Sequence, residues 1–186
     1  MRNKNAIYLI SAAMCCFLTA CSSKSTDNIN SRAENTAVSA AAKTSSAGMP
    51  NPWTDTTAAE SEKAAGFAYG IPEGATDTIY RILGSQNLVE MDFMLNGDRW
   101  TARTKPAKEP EDISGMYFSW KSDSAADTEI LPLPGKERRT ESDGKHILSA
   151  LWFDKENSRV YSLSVSAMKQ QSLAPAKIIF GPALKK

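Results

Sequence analysis

The stretch Asn87–Leu95, closed by Asn96-Gly97, constrains this chain more than any other. Val89, Met91, Phe93 and Leu95 fall on one side of an extended chain, and Glu90, Asp92 and Met94 on the other. Such period-two alternation marks a strand with one face against a core. Asn-Gly then supplies two residues that tolerate positive φ, as a type I′ hairpin turn requires. A two-residue loop fixes the register. Leu95 pairs with Asp98, Phe93 with Trp100, Met91 with Ala102 and Glu90 with Arg103. The Phe93 and Met91 pairs belong to a core. The Glu90–Arg103 pair reads as an exposed pair of opposite charges, worth about 0.2–1 kcal/mol. A lone hairpin is marginal in water, so a chain committed to this one must supply more strands or a helix to cover it.

Both are predicted. Strand signals begin at Thr78, and the return strand Arg99–Thr104 is broken by the charged loop Pro106–Pro110. Gly115–Lys121 reads as a short aromatic strand, and Thr128–Leu133 as another, ended by Pro134-Gly135. Asp143-Gly144 suits a second tight turn. His146–Phe153 and Arg159–Ser166 are the last strands, with Asn157 suited to the left-handed position between them. Ahead of the sheet, Thr57-Ala58-Ala59-Glu60 forms a capping box, and Gly66 with Phe67 supplies a stop, predicting a helix over Thr57–Ala65. At the other end, Met168–Leu173 reads as a short helix stopped by Pro175, and Ile178-Ile179-Phe180 is too apolar for a free tail. The fold class expected is α+β: a single antiparallel sheet of about six or seven strands with the N-terminal helix packed on one face. The sequence carries no visible repeat.

The first residues have a different character. Arg2 and Lys4 precede an uncharged apolar run, Ala6–Leu18. That run is shorter than the ~20 residues a membrane-spanning helix needs. A positive start, a short apolar centre and small residues before a cut site are the pattern of a secretory leader. Leu18-Thr19-Ala20-Cys21 resembles a lipobox, which implies diacylglycerol on the Cys21 thiol and cleavage just before it. The organisation expected is therefore a signal peptide at 1–20, a lipidated Cys21 with a Ser/Ala/Thr-rich tether at 21–48, and an α+β domain at 49–186. Such a tether has a mean reach on the order of 30 Å, from about 5–6 Å × √n. Cys15 and Cys16 leave with the leader, so the mature chain has no second thiol for an internal disulfide.

Charge narrows the partners. The whole chain carries +1; removing Arg2 and Lys4 from its 22 basic residues leaves 20 against 21 acidic ones, or −1. Neither a nucleic-acid footprint nor a polybasic lipid-binding stretch is present. The partners expected are membrane lipid through Cys21 and an envelope protein or cell-wall component. The location expected is the cell membrane, lipid-anchored on its extracytoplasmic side.

Catalytic chemistry finds little footing. His146 is the only histidine and reads as a strand-end residue. Ser166-Ala167-Met168-Lys169 matches the S-x-x-K pattern of penicillin-binding enzymes, but no K-T-G element follows. Asp123, Asp127 and Glu129 lack the glycine and alternation of a calcium loop. Glu109, Glu111 and Asp112 flank Pro110 in a loop, a poor place to hold two carboxylates at a fixed distance. Lys136-Glu137-Arg138-Arg139 reads as a solvated mixed-charge stretch. Trp100 and Trp152 read as core, whereas Trp53 and Trp120 are candidate exposed binding aromatics. No catalytic residue, metal ligand or cofactor is expected.

Asn51-Pro52-Trp53, Glu62-Lys63-Ala64-Ala65-Gly66-Phe67, Ile71-Pro72 and Ile113-Ser114-Gly115-Met116-Tyr117 together resemble a family of small bacterial lipoproteins. Its exported α+β domain is of unknown function, and related domains occur as extracytoplasmic parts of membrane proteins resembling anti-sigma factors. Arg103, the Trp152 strand and Tyr161-Ser162-Leu163-Ser164-Val165 extend the likeness over about residues 49–168. Where that family closes with a helix, this chain has Pro175 and Gly181-Pro182. The resemblance implies a sensing or binding module and names no ligand. The function expected is a membrane-tethered, non-enzymatic module that binds a ligand or senses envelope state. The alternatives are a small cell-envelope hydrolase and a structural spacer. A binding module needs an exposed apolar or aromatic groove; a hydrolase needs His146 or two carboxylates together at the bottom of a cleft; a spacer needs neither.

Overall fold

The computed structural model describes residues 51–185. The leader expected at 1–20, the lipidation expected at Cys21 and the tether expected at 21–48 lie outside the described residues. The described residues form an α+β fold in which one antiparallel sheet dominates. In chain order the elements are β1 (Thr54–Thr56), α1 (Ala58–Ala65), β2 (Thr76–Leu83), β3 (Leu88–Leu95), β4 (Asp98–Pro106), β5 (Ser122–Ala125), β6 (Gly135–Ser142), β7 (Lys145–Asp154), β8 (Arg159–Ala167) and α2 (Pro175–Phe180). The spatial order is β1-β2-β3-β4-β8-β7-β6-β5. Two four-stranded meanders therefore meet at a central β4–β8 pair, each starting from a very short edge strand.

The β3–β4 hairpin has the register that its turn dictates. Asn96 and Gly97 sit at φ 54° and 84°, and Phe93 pairs with Trp100, Met91 with Ala102 and Glu90 with Arg103. The rings of Phe93 and Trp100 stack at 6.4 Å. Asp143-Gly144 makes the second tight turn, at φ 50° and 73°. Between β7 and β8, however, Ser158 rather than Asn157 takes the left-handed position. The buried Asp154 carboxylate accepts bonds from both the backbone N–H and the Nδ2 of Asn157, which fixes that residue.

The sheet has eight strands rather than six or seven. Gly115–Lys121 and Thr128–Leu133 are not strands. In their place, β5 arises from the Asp123 stretch and β6 from the mixed-charge run Lys136–Arg139. Their pairing is carried by charge: Asp123 lies opposite Arg138 in the register, and its carboxylate accepts from Arg138 Nε at 3.1 Å.

One face of the sheet carries the main core, including Met91, Phe93, Trp100, Trp152, Tyr161 and Leu163. In α1, Thr57 and Glu60 cap each other reciprocally and Gly66 takes the left-handed C-terminal position. This helix buries only Ser61 and Ala65. Most of the cover comes from Phe67 and Tyr69 after it and from Ile179 and Phe180 of α2. Met168–Leu173 is not helical; α2 begins at Pro175 instead of ending there. The first-turn amides of a helix have no acceptor within it, so proline costs nothing at that position.

The opposite face is crossed by residues 107–121, a strap without regular structure. Ile113 is buried on it with Leu88 and Val160 in a small second core. Polar ties hold the strap on both halves of the sheet. Arg103 Nη1 donates to the Ile113 carbonyl at 3.1 Å, Arg138 Nη1 to Asp112 at 2.8 Å, and Thr140 Oγ1 to the Ser119 carbonyl at 2.9 Å.

Candidate functional site

Beside the strap lies a groove of about 460 Å³. Leu151 and Phe153 of β7 and Val160 of β8 floor it; Pro110–Asp112 of the strap form one wall, and Gly135, Lys136 and Arg138 of β6 the other. The floor follows from the sequence of β7, Ile147-Leu148-Ser149-Ala150-Leu151-Trp152-Phe153. Trp152 and Leu148 point into the main core, which leaves Ile147, Leu151 and Phe153 for the second face. A strand apolar on both sides needs cover on both. Here the strap covers the second face only in part, and Leu151 and Phe153 stay half-buried. Gly135 lets β6 lie close to this strand: a Cβ there would stand 2.5 Å from Trp152 Cδ1.

The backbone of the floor is fully engaged. β7 is paired to β6 on one side and to β8 on the other along the whole groove, and Phe153 N–H donates to the Pro134 carbonyl at 3.0 Å. The groove thus offers hydrocarbon below and charge only at its mouth. Of those charges, Arg138 is tied to Asp112 and Asp123, and Glu111 to Lys105 at 2.7 Å. Lys136 is the loosest, exposed and 3.8 Å from Asp123.

A second, polar depression lies over β1–β4, lined by Trp53, Asp55, Arg81, Glu90, Asp92 and Arg103 among others. It overturns the reading of Glu90–Arg103 as an exposed pair, because Glu90 is only 3% exposed. Its carboxylate accepts from Arg81 Nη1 at 2.8 Å and from Arg103 through Nε at 2.8 Å and Nη2 at 2.7 Å. Arg81 also binds Asp92 and Asp55, and the hydrogen bond it donates to Glu90 is the main cause raising its pKa above the ordinary arginine value. Thr101 Oγ1 donates to Asp92 at 2.6 Å. Alternation assigned these acids to solvent; what encloses them is the two arginines laid across them from β2 and β4. Each guanidinium already has a carboxylate, so this cluster is built to hold strands together.

Trp53 is half-buried, with the Arg103 guanidinium 5.4 Å from its ring centre. Trp120 is half-buried against the edge of Phe118. Neither lines the apolar groove. Trp100 and Trp152 are core. His146 stands at the start of β7, its Nδ1 3.4 Å from Glu141. The Lys121 ammonium, with His146 adding to it, holds the Glu141 carboxyl below its usual range. Asp112 is committed to Ser114 and Arg138, and Asp127 caps the Glu129 amide. Ser166 is the penultimate residue of β8 and Lys169 lies exposed beyond the strand. Among the described residues no group of three or more His, Cys, Asp or Glu is placed to hold a metal ion. Among them, too, no helix is long and apolar enough to cross a membrane.

No family model, curated protein or solved structure matches this chain. The site is therefore read from its own geometry. The sequence does carry a signal for the floor: a seven-residue run in β7, Ile147 to Phe153, apolar on both faces.

Proposed function

We propose that this chain is a membrane-tethered, extracytoplasmic lipoprotein whose folded domain binds a ligand in the groove beside the strap, without turnover. The observation that carries the binding reading is a concave apolar floor left open on a face otherwise closed by ion pairs and a strap. Ligand sites have this make-up, apolar walls with a few charges at the rim. The absence of turnover is supported by the state of the ionisable groups around the groove. Asp112, Glu111 and Arg138 are each committed to a partner, and His146 is held with Glu141 at the far end of β7. A general base needs instead to be within reach of a proton on its substrate. The tether reading is supported by the leader pattern and by Cys21 at its end.

Two measurements test the two halves. Cells fed labelled palmitate should incorporate it into the wild-type protein and not into Cys21→Ala; an unlabelled wild type refutes the anchor. Anilinonaphthalene sulfonate, an anionic aromatic probe, should brighten on the purified protein and lose that response in Leu151→Glu. An equal response in both refutes the groove as a binding site.

A further inference from the structure

Resting on that binding reading, we propose that the groove takes a single acyl chain with an anionic head, a fatty-acid-type ligand, and that Lys136 receives the head. The first argument concerns what the floor cannot do. A peptide brings a polar N–H and C=O with every residue, and each left unpaired out of water costs about 1–3 kcal/mol. The floor has no backbone group to give: β7 lies between two paired neighbours, and the Phe153 amide is bonded to the Pro134 carbonyl. The apolar side chains over it, Leu151, Phe153 and Val160, offer no polar atom either. A hydrocarbon chain needs none, and burying it gains roughly 0.8 kcal/mol per methylene.

The second argument is charge. The mouth holds both signs, but they are unequally occupied. Glu111 is neutralised by Lys105, and Asp112 and Asp123 share Arg138. Among the described residues Lys136 has only the 3.8 Å approach to Asp123, a carboxylate that already accepts from Arg138 at 3.1 Å. Lys136 lies opposite Leu151 in the β6–β7 register, so its ammonium can lean over the mouth while its stem extends the apolar wall. A negative head at that point completes the pairing; a positive one would meet Lys136 and Arg138. The groove, at about 460 Å³, falls in the range of small-ligand sites, ~300–1,000 Å³.

The test uses the full chain carrying Cys21→Ala, so that the only acyl chain present is the one added. The anilinonaphthalene probe is bound first and then challenged with palmitate, with hexadecanol and with a short apolar peptide. Palmitate should displace the probe best. Lys136→Glu, an exposed change that leaves the core alone, should weaken palmitate about tenfold, a loss of one decade in affinity, and leave hexadecanol unchanged. Bound probe that palmitate fails to displace, or that the peptide displaces better, overturns the acyl-chain assignment while the groove itself stands. Palmitate binding that is indifferent to Lys136→Glu overturns the head-group contact. A probe that does not bind wild type at all, or binds folded Leu151→Glu equally, removes the groove reading on which the proposal rests.

Discussion

Arg103→Met is the most direct probe of the buried charge cluster. The substitution keeps an unbranched stem of similar bulk and deletes the guanidinium. Three interactions go with it: the two-pronged contact to Glu90, the bond to the Ile113 carbonyl, and the face of Trp53. Breaking a buried ion pair by removing one partner costs about 3–5 kcal/mol, because the other charge is stranded. Glu90 is not wholly stranded, since Arg81 still donates to it at 2.8 Å, and Arg103 itself is 18% exposed. Both facts reduce the figure, and about 2–3 kcal/mol is expected. An exposed pair in the same protein gives the comparison. Lys121 and Glu141 lie 2.9 Å apart with both side chains more than half exposed, and Lys121→Met should cost about 0–1 kcal/mol. Urea unfolding followed by tryptophan fluorescence measures both variants against wild type. If Arg103→Met costs no more than Lys121→Met, the cluster behaves as a solvated one, and the argument from burial is refuted.

Two further outcomes are expected. Burial pushes the Tyr161 hydroxyl from 10.0 up to about 12, and that of Tyr69 upward as well. The folded state thus binds more protons than the unfolded state between these values. By linkage, stability is full below pH 10 and falls as pH rises towards 12; Tyr161→Phe should shallow that loss in urea midpoints measured across the range, and an unchanged slope would contradict it. Gly115 of the strap has φ 68°, and a Cβ there would lie 2.2 Å from Arg103 Nη1, so Gly115→Ala should displace the arginine and speed amide exchange across Ile113–Tyr117; unaltered exchange would mean the strap is not seated on Arg103.

How far the sequence revealed all this depended on whether the signal was local. Asn96-Gly97 carries its own geometry, two residues tolerant of positive φ, and the register followed from it. The capping box at Thr57 and Glu60 is equally self-contained. β6 was hidden because neither of its faces is apolar: Lys136-Glu137-Arg138-Arg139 meets β5 through the ion pairs of Lys136 and Arg138 with Asp123, and joins β7 through the backbone ladder. The aromatic run after Gly115 misled in the opposite direction. Its residues suit a strand, but Gly115 turns the chain and the second face offers no strand edge to join. Glu90 and Asp92 alternate as solvent residues should, and only the arrival of Arg81 from β2 and Arg103 from β4 encloses them. The groove draws on four separate segments, so no window of the sequence contains it.

The paired meanders leave a seam. Within each half, every strand joins the next one in the chain, so these pairings can close independently of the other half. The two half-sheets are hydrogen-bonded to each other where β4 lies along β8, joining Trp100 to Val165 and Pro106 to Arg159, partners more than fifty residues apart in the chain. Pairings of such long separation close late, since the loop entropy must be lost before the contacts return it. Zipping that seam also completes the floor on which the strap rests, because Arg103 and Val160 then come from opposite sides of it. The groove is consequently among the last features of the molecule to exist during folding. A chain caught with the seam open would present two incomplete sheets, each with a long bare edge ready to pair with another copy.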